Sequence, residues 1–330
     1  MDNPIRNSTS ILIVTKINFM KLCFQSVLSI SIIFYSLFLS GCIRDDTDCY
    51  YSPTLIVSLY SMSPCETDTV YPTGIKDITL CVFDKNDILV AYVHKDNVTL
   101  GKGYTEEITV TEKGIYTVMA WSGIYTGYFD LNQPQLGQTT KKDWLFHLKR
   151  LQNIAVSIEG IQVYAGESRA VYMDGAISRS ERASVNLQEI TNRLTVTIEG
   201  LNRNEEEYEV YIESDNGSMQ LDGSIAEDEI VRFNPMISIN NGWLNERFSL
   251  LKLETGHNNT IVIRHKISGK ELYRGSLLGT LLLKNPEVNL DCDHDFIIRF
   301  TTQDQCECGT YTIQEIWVNN WLVHSYDTEI

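Results

Sequence analysis

The sequence predicts an all-β protein in which two tandem β-sandwich domains follow an export signal. Three observations predict this fold. Apolar and polar residues alternate with period two between short turn signals, as in half-buried antiparallel strands. Tyr, Val, Ile and Thr, which favour strands, are abundant. Helical patterns are too few for a parallel α/β fold, because such a fold needs a helix after nearly every strand.

The first element is a lipoprotein signal peptide over residues 1–41. Residues 22–40 are almost wholly apolar or small, and the run ends in the four residues Leu39, Ser40, Gly41 and Cys42. This ending resembles the recognition sequence of lipoprotein signal peptidase. Its small Ser and Gly let the peptidase approach the backbone, and its Cys thiol carries the diacylglyceryl group.

The start of this signal has two interpretations, and so has its processing, since it is either cleaved or retained. Met20 and Lys21 directly precede the apolar run, so a start at Met20 would give a compact signal with a positive n-region. An uncleaved membrane helix is the alternative, because about 20 apolar residues span a bilayer. Two or three acyl chains such as palmitate anchor a protein stably, whereas one chain binds only marginally. We therefore expect lipid on Cys42 to be the attachment to the outer membrane.

Residues 42–50 form the lipid-anchored linker. Asp45 and Asp46 lie close behind the lipid site, and this acidic pair resembles the surface-export signal of Bacteroidetes lipoproteins. A solvated spacer beside the membrane is the alternative interpretation. We expect exposure on the outer surface of the cell.

The N-terminal β-sandwich is predicted over residues 51–182. Ile78, Leu80 and Val82 share one face of a strand, residues 84–87 break the run, and residues 88–93 resume it as the second strand of a hairpin. Residues 114–121 read as another strand. Residues 143–151 and 276–283 have short helical patterns and are expected to be minor elements.

The C-terminal β-sandwich is predicted over residues 183–330. The sequence turns polar over residues 178–182, and a new series of strands then opens with Leu194, Val196 and Ile198 alternating against polar residues. It continues through residues 208–212, 260–267, 296–301 and 312–324. Asn216-Gly217 and Asn241-Gly242 suit the positive φ of tight turns.

Charge argues against one class of partner, and cysteine content permits disulfides. The net charge is −16, and Lys and Arg do not cluster, so nucleic acid is not expected as a partner. Six cysteines follow Cys42, and three lie near each end of the body, so we expect disulfides mostly within each domain. Their positions are Cys49, Cys65, Cys81, Cys292, Cys306 and Cys308.

No metal site or cofactor is expected. Cys306 and Cys308 resemble half of a zinc site, but the sequence supplies no matching CxxC or HxxxH. An acidic group could bind a cation, yet on a strand its side chains would alternate between faces. Its members are Asp291, Asp293, His294 and Asp295.

Five segments, taken in order, match the pattern of a known family. Residues 44–49 place an acidic pair and a cysteine shortly after the lipid site. Residues 78–84 form a strand that ends in Phe-Asp, and residues 114–121 form a Gly-x-Tyr strand that ends in Trp. Residues 290–296 and 316–321 provide a Leu-Asp segment before a strand and a closing strand. Together they resemble the FimB-type fimbrial subunit family, the fimbrillin-A-associated anchor proteins of Bacteroidales.

The chain departs from this family at Asn320, where the family usually has Gly. The turn is still expected, because Asn tolerates a left-handed backbone.

The resemblance implies two transthyretin-like β-sandwiches in a cell-surface lipoprotein of a fimbrial system. Members of the family hold a fimbria to the outer membrane or serve as minor subunits. Subunits of such fimbriae join by donating a strand into a neighbour's sheet, which is a form of β-augmentation. We therefore expect a fimbrial anchor or minor subunit, tethered through Cys42, with shaft subunits as its partners by strand donation.

A surface adhesin that binds glycan or host protein is the alternative function, and an exported hydrolase ranks third. Trp121, Trp317 and Trp321 are expected in the sandwich core or at its edges rather than in a sugar platform. Residues 166–170 lack the second Gly of a nucleophile elbow, and the six histidines are dispersed. We expect no catalytic residues and no enzyme activity.

Overall fold

A computed structural model describes residues 53–175, 180–201, 207–240, 243–284, 287–306 and 309–326. Strands dominate this part of the chain, as predicted. The first thirteen strands are β1 (Thr54–Tyr60), β2 (Asp77–Asp84), β3 (Leu89–Asp96), β4 (Thr105–Thr109), β5 (Gly114–Ser122), β6 (Phe129–Leu131), β7 (Leu145–Leu148), β8 (Arg150–Leu151), β9 (Ile154–Ala155), β10 (Tyr164–Glu167), β11 (Val171–Met173), β12 (Ser180–Asn186) and β13 (Gln188–Glu189).

The second half of the chain continues with further strands and one helix. They are β14 (Thr191–Glu199), β15 (Tyr208–Ser214), β16 (Ser218–Gln220), β17 (Val231–Phe233), β18 (Ile237–Asn240), β19 (Leu244–Leu251), β20 (Asn259–His265), β21 (Glu271–Ser276), α1 (Leu277–Leu282), β22 (Asp295–Asp304), β23 (Tyr311–Val318) and β24 (Trp321–Ser325). Within the described ranges, no helix is long and apolar enough to cross a membrane.

Two sheets form the first half. Sheet I has the strand order β12-β1-β4, and sheet II has the order β13-β10-β5-β2-β3, with β11 also paired to β5. The even-numbered residues of β2 face sheet I, so Ile78, Leu80 and Val82 share one buried cluster with Leu55 and Val57 of β1. The predicted face and the predicted hairpin of β2 with β3 are therefore confirmed.

Two six-stranded sheets form most of the second half. Sheet III has the order β18-β19-β14-β22-β23-β24, and sheet IV has the order β21-β20-β15-β17-β9-β8. β14 pairs in parallel with β22 and antiparallel with β19. Leu194, Val196 and Ile198 are fully buried or nearly so, which confirms the predicted alternation along β14.

A continuous apolar core joins the two halves. Cys81, Phe83 and Trp121 point from the second face of sheet II into the same cluster as Leu194 and Phe300 of sheet III. A small sheet V, of order β16-β7-β6, lies in this region. Sheet II is thus buried on both faces, which explains why β2 is apolar on both faces rather than half polar. The predicted domain boundary at residue 183 stays a prediction, and it falls within β12.

One of the two predicted helices is wrong. Residues 145–148 form β7, which pairs with β16 on one side and β6 on the other. Phe146 and Leu148 are buried, whereas Leu151 is 76% exposed, so the leucine spacing does not mark one buried face. Tertiary pairing overrides the weak helical pattern. The second prediction is confirmed as α1, whose first turn is capped by the Ser276 hydroxyl accepting from the Gly279 N–H at 2.9 Å.

Of the two described asparagine pairs predicted to form tight turns, one has positive φ and the other does not. Asn319 and Asn320 have φ of 45° and 71° and join β23 to β24, as predicted for the position where the family usually has Gly. The other described pair, Asn216-Gly217, has no positive φ, so that prediction is wrong. Asn216 is instead fully buried, and its amide donates to the carbonyls of Leu251 and Lys252. Asn241-Gly242 lies outside the described residues.

Candidate functional site

The predicted attachment site lies outside the described residues, which begin at Pro53. The residues concerned are the lipid site Cys42, its recognition residues Leu39, Ser40 and Gly41, and the acidic pair Asp45 and Asp46. The folded body nevertheless fixes where the chain from these residues enters. It enters at the start of β1, and β1 is the central strand of sheet I.

Chain direction places this entry point far from the second half. β1 runs parallel to β12, with Thr54 opposite Ser180 and Tyr60 opposite Asn186. β12 leads directly into β13 and β14. Thr54 therefore lies at the end of sheet I that is remote from β14.

β14 leads from the first half to the opposite end of the body. This strand begins beside the first half, where the Ile190 N–H donates to the Val163 carbonyl at 2.8 Å. It ends at Glu199, and at about 3.3 Å per residue it spans roughly 30 Å. The Tyr311 hydroxyl donates to the Leu201 carbonyl at 2.7 Å. Tyr311 and its neighbours therefore lie at the far end of β14, and we call this end of the second half the distal end.

A cleft of ≈ 560 Å³ opens at the distal end. One wall is formed by residues 270–273 at the start of β21, and the other by the loop before β23 and by the start of that strand. β21 is an edge strand of sheet IV. Four tyrosines from separate elements line the cleft, namely Tyr208, Tyr273, Tyr311 and Tyr326. We call it the tyrosine cleft.

The tyrosines differ in exposure and bonding. Tyr208 is 6% exposed, and its ring meets those of His265 and Tyr311 edge-on. Tyr273 packs on Phe300 with 4.9 Å between ring centroids. Tyr326 is 43% exposed and therefore presents its ring at the mouth of the cleft.

One disulfide joins the two halves of the described body. Cys65 is bonded to Cys292, and the two residues are 227 positions apart. The expectation of disulfides mostly within each domain is wrong for this pair, because the loop carrying Cys65 lies against the loop before β22. Cys306 is also disulfide-bonded. Cys81 is a free thiol in the core, and burial raises its pKa well above the ordinary value.

A buried polar cluster contains the residue types of a hydrolase in the wrong arrangement. The Ser218 hydroxyl lies 2.6 Å from His147 Nδ1 and hydrogen-bonds the Asp228 carboxylate, which also pairs with Arg150. A catalytic triad needs the carboxylate on the histidine and an accessible serine. Ser218 is fully buried here, so this cluster ties β7 and β8 to the second half.

The elbow-like segment is also structural. The Ser168 hydroxyl accepts from the Val118 N–H and donates to the Arg169 carbonyl, both at 2.9 Å. A Cβ on Gly166 would lie 2.0 Å from the Asn186 carbonyl oxygen, so glycine is needed for close packing of β10 on β12.

The acidic group near Cys292 is occupied by structural contacts. Asp295 forms an ion pair with Arg193, and an Asp293 carboxylate oxygen accepts from the Asn289 N–H at 2.7 Å. Among the described residues, no group of three or more His, Cys, Asp or Glu side chains could hold a metal ion.

The three tryptophans do not form a platform. Trp121 is 3% exposed and meets Trp144 edge-on in the core, as expected. Trp317 lies under the Arg299 guanidinium, 4.9 Å from the ring centroid, and Trp321 is 47% exposed on β24. The tyrosine cleft was not predicted, because its aromatic residues are far apart in the sequence.

Comparison with known proteins identifies relatives over nearly all of the body. A curated relative, the minor fimbrium anchoring subunit Mfa2 of Porphyromonas gingivalis, is 32% identical over 283 residues, which is 83% of this chain and 86% of the relative. The solved structure of the fimbrial anchor protein Mfa2 from the same organism superposes with a TM-score of 0.77 at 31% identity, covering 83% of this chain and 100% of the other.

A structure from Bacteroides thetaiotaomicron shares the fold. Its TM-score is 0.70 at 22% identity, and the match covers 84% of this chain and 99% of that one. The family model described as fimbrillin-A associated anchor proteins Mfa1 and Mfa2 matches residues 45–327. The predicted resemblance is therefore confirmed, and the chain belongs to the family of fimbrillin-A associated anchor proteins.

Proposed function

We propose that this protein is a non-enzymatic anchor or minor subunit that tethers a fimbria to the outer membrane through lipid on Cys42. The observation that carries the proposal is the 32% identity to an anchoring subunit over most of both chains. The entry of the chain at Thr54, remote from the second half, supports it. A body tethered at that end directs its distal end away from the membrane, where a fimbria would extend.

Cell fractionation tests the proposal. We expect Cys42→Ala to leave the membrane fraction and to release fimbriae into the medium, because the variant lacks the thiol that carries the lipid. Ser40→Ala is the matched control, since Ala is also small and should leave processing intact. If Cys42→Ala is released while fimbriae stay attached to the cells, the protein does not anchor them.

Exposure at the cell surface is tested separately. Asp45→Ala combined with Asp46→Ala should keep the protein in the membrane but protect it from protease added to whole cells. Equal digestion of the double variant and the unaltered protein would exclude a role of this acidic pair in surface export.

Strand donation by a shaft subunit requires an open edge, and β24 is the most suitable described edge. Native edge strands are usually protected by charged residues, as β4 is by Glu106 and Glu107. β24 instead exposes Trp321 and Leu322, at 47% and 44%. An added strand would gain main-chain hydrogen bonds and would cover these side chains.

A charge on this edge tests strand donation. Leu322→Lys should abolish copurification of shaft subunits while leaving the protein on the membrane, because the new charge opposes strand addition. Leu136→Lys, at a residue that is 61% exposed in a loop, is the matched control. Retention of shaft subunits by Leu322→Lys would exclude the β24 edge.

A further inference from the structure

We propose that the tyrosine cleft binds a neutral saccharide, a ligand separate from the fimbrial subunits of the proposed function. The volume of ≈ 560 Å³ falls within the range of about 300–1,000 Å³ that is typical of small-molecule sites. Such sites combine aromatic surface with a few polar groups, and a disaccharide matches both because its rings have apolar C–H faces and hydroxyl rims.

The polar groups of the cleft are open to a ligand. Tyr208 is 6% exposed, yet its hydroxyl makes no hydrogen bond to any described residue. Tyr208 lines the cleft, so this hydroxyl can bond to water or to a ligand there. Burial, with smaller effects of Tyr311, Glu207 and Asp304, raises the pKa of Tyr208. The hydroxyl therefore keeps its proton at neutral pH and can donate to a sugar oxygen.

Most charged groups around the cleft are already paired, so Lys270 is the one counter-charge that the described lining offers to an acidic ligand. Glu271 is paired with Arg274 at 3.0 Å, and His265 Nε2 lies 3.4 Å from the Glu207 carboxylate. Of the charged lining residues that the structure describes, Lys270 alone has no ion-pair partner, and its ammonium group can donate up to three hydrogen bonds. An acidic sugar would also meet the negative net charge of the whole chain, which opposes its approach.

The exposed ring at the mouth supplies the apolar contact. Tyr326 is 43% exposed and its ring meets His324 edge-on at 4.1 Å, which holds it in place. Leu272 on the facing wall packs partly against the core. A sugar ring lying on Tyr326 would direct its hydroxyls toward Tyr208 and Gln305, both of which line the cleft.

Saturation-transfer NMR on the folded protein with lactose, maltose, cellobiose and N,N′-diacetylchitobiose tests the proposal. We expect transfer to at least one of these neutral disaccharides and weaker transfer to sialyllactose. Tyr208→Phe removes only the unpaired hydroxyl, so it should weaken binding about fivefold, as the loss of one hydrogen bond does. The melting temperature of this variant should be unchanged or higher, because no internal bond is lost.

Two further variants complete the test. Tyr326→Ala should weaken binding by about tenfold through loss of the aromatic contact. Tyr172→Phe, on a residue that is 54% exposed in the first half, is the matched control and should bind as the unaltered protein does. No transfer to any of the neutral disaccharides, or transfer that persists in both cleft variants, would overturn the proposal. Loss of shaft-subunit binding in Tyr326→Ala without sugar binding would identify the cleft as a protein-docking site instead.

Discussion

The disulfide between Cys65 and Cys292 permits a quantitative prediction. The bond closes a loop of 227 residues, and in the chain-entropy treatment such a cross-link destabilises the unfolded chain by about 5 kcal/mol at 25 °C. Total stabilities are about 5–15 kcal/mol, so the bond supplies a large share of the total. Cys65→Ala combined with Cys292→Ala should therefore lower the free energy of unfolding by about 2–5 kcal/mol.

Guanidinium denaturation without reductant measures this loss. With an m-value of about 5 kcal/mol per M, which suits a body of this size, the midpoint should fall by about 0.4–1 M. Near-ultraviolet circular dichroism of the folded variant should not change, because the effect acts on the unfolded chain. A midpoint equal to that of the unaltered protein would refute the reasoning, and so would an altered folded spectrum.

Three further predictions concern local features. Asn320→Gly should stabilise the β23–β24 turn by about 0.5 kcal/mol because φ is 71°, whereas Asn320→Val should destabilise it by at least about 1 kcal/mol. Thermal melts of both variants measure these changes. Gly123→Ala should lower stability by about 2 kcal/mol or more, since φ is 82° and a Cβ would lie 2.1 Å from the Gln162 carbonyl oxygen, while Gly101→Ala has free space and serves as control. Asp228→Asn should destabilise the protein by about 2–3 kcal/mol at pH 7. Burial opposes ionisation of Asp228, but its hydrogen bonds with Arg150 and Ser218 outweigh burial and keep the pKa of Asp228 below the ordinary value. The difference in stability between the unaltered protein and Asp228→Asn is therefore present above about pH 4, and it is lost as the pH falls through the folded pKa. Denaturation midpoints at pH 7 and near pH 2 would check it, and an equal difference at both would contradict the assignment.

The strands with clear alternation were predictable from the sequence. β14 buries every second residue, so its period-two pattern survives in the fold. In β2 the alternate residues Ile78, Leu80 and Val82 share one cluster as predicted, but the residues between them are buried on the other face. β7 was not predictable, because pairing with β6 and β16 decides its conformation and β16 lies about 70 residues further along the chain. Asn216 shows the same limit, since a residue suited to a turn became the buried donor to a distant strand.

The candidate site was even less accessible to sequence reasoning. The lipid-attachment motif is contiguous and can be read directly, whereas the cleft combines side chains from β15, β21, β23 and the segment after β24. Tyrosines are common in this chain, with 17 in all, so no single position stands out. Only the pairing of the strands brings Tyr208 and Tyr326 to the same cleft.

The placement of β1 has a mechanical consequence. This strand lies between β12 and β4 and is hydrogen-bonded to both. A tension applied through the residues before Pro53, against a load on the second half, would act along the strand axis. Both ladders would then be sheared along their whole length at once, rather than peeled apart one bond at a time. A tethered body with this geometry should resist extraction of its first strand far better than a hairpin pulled open from one end.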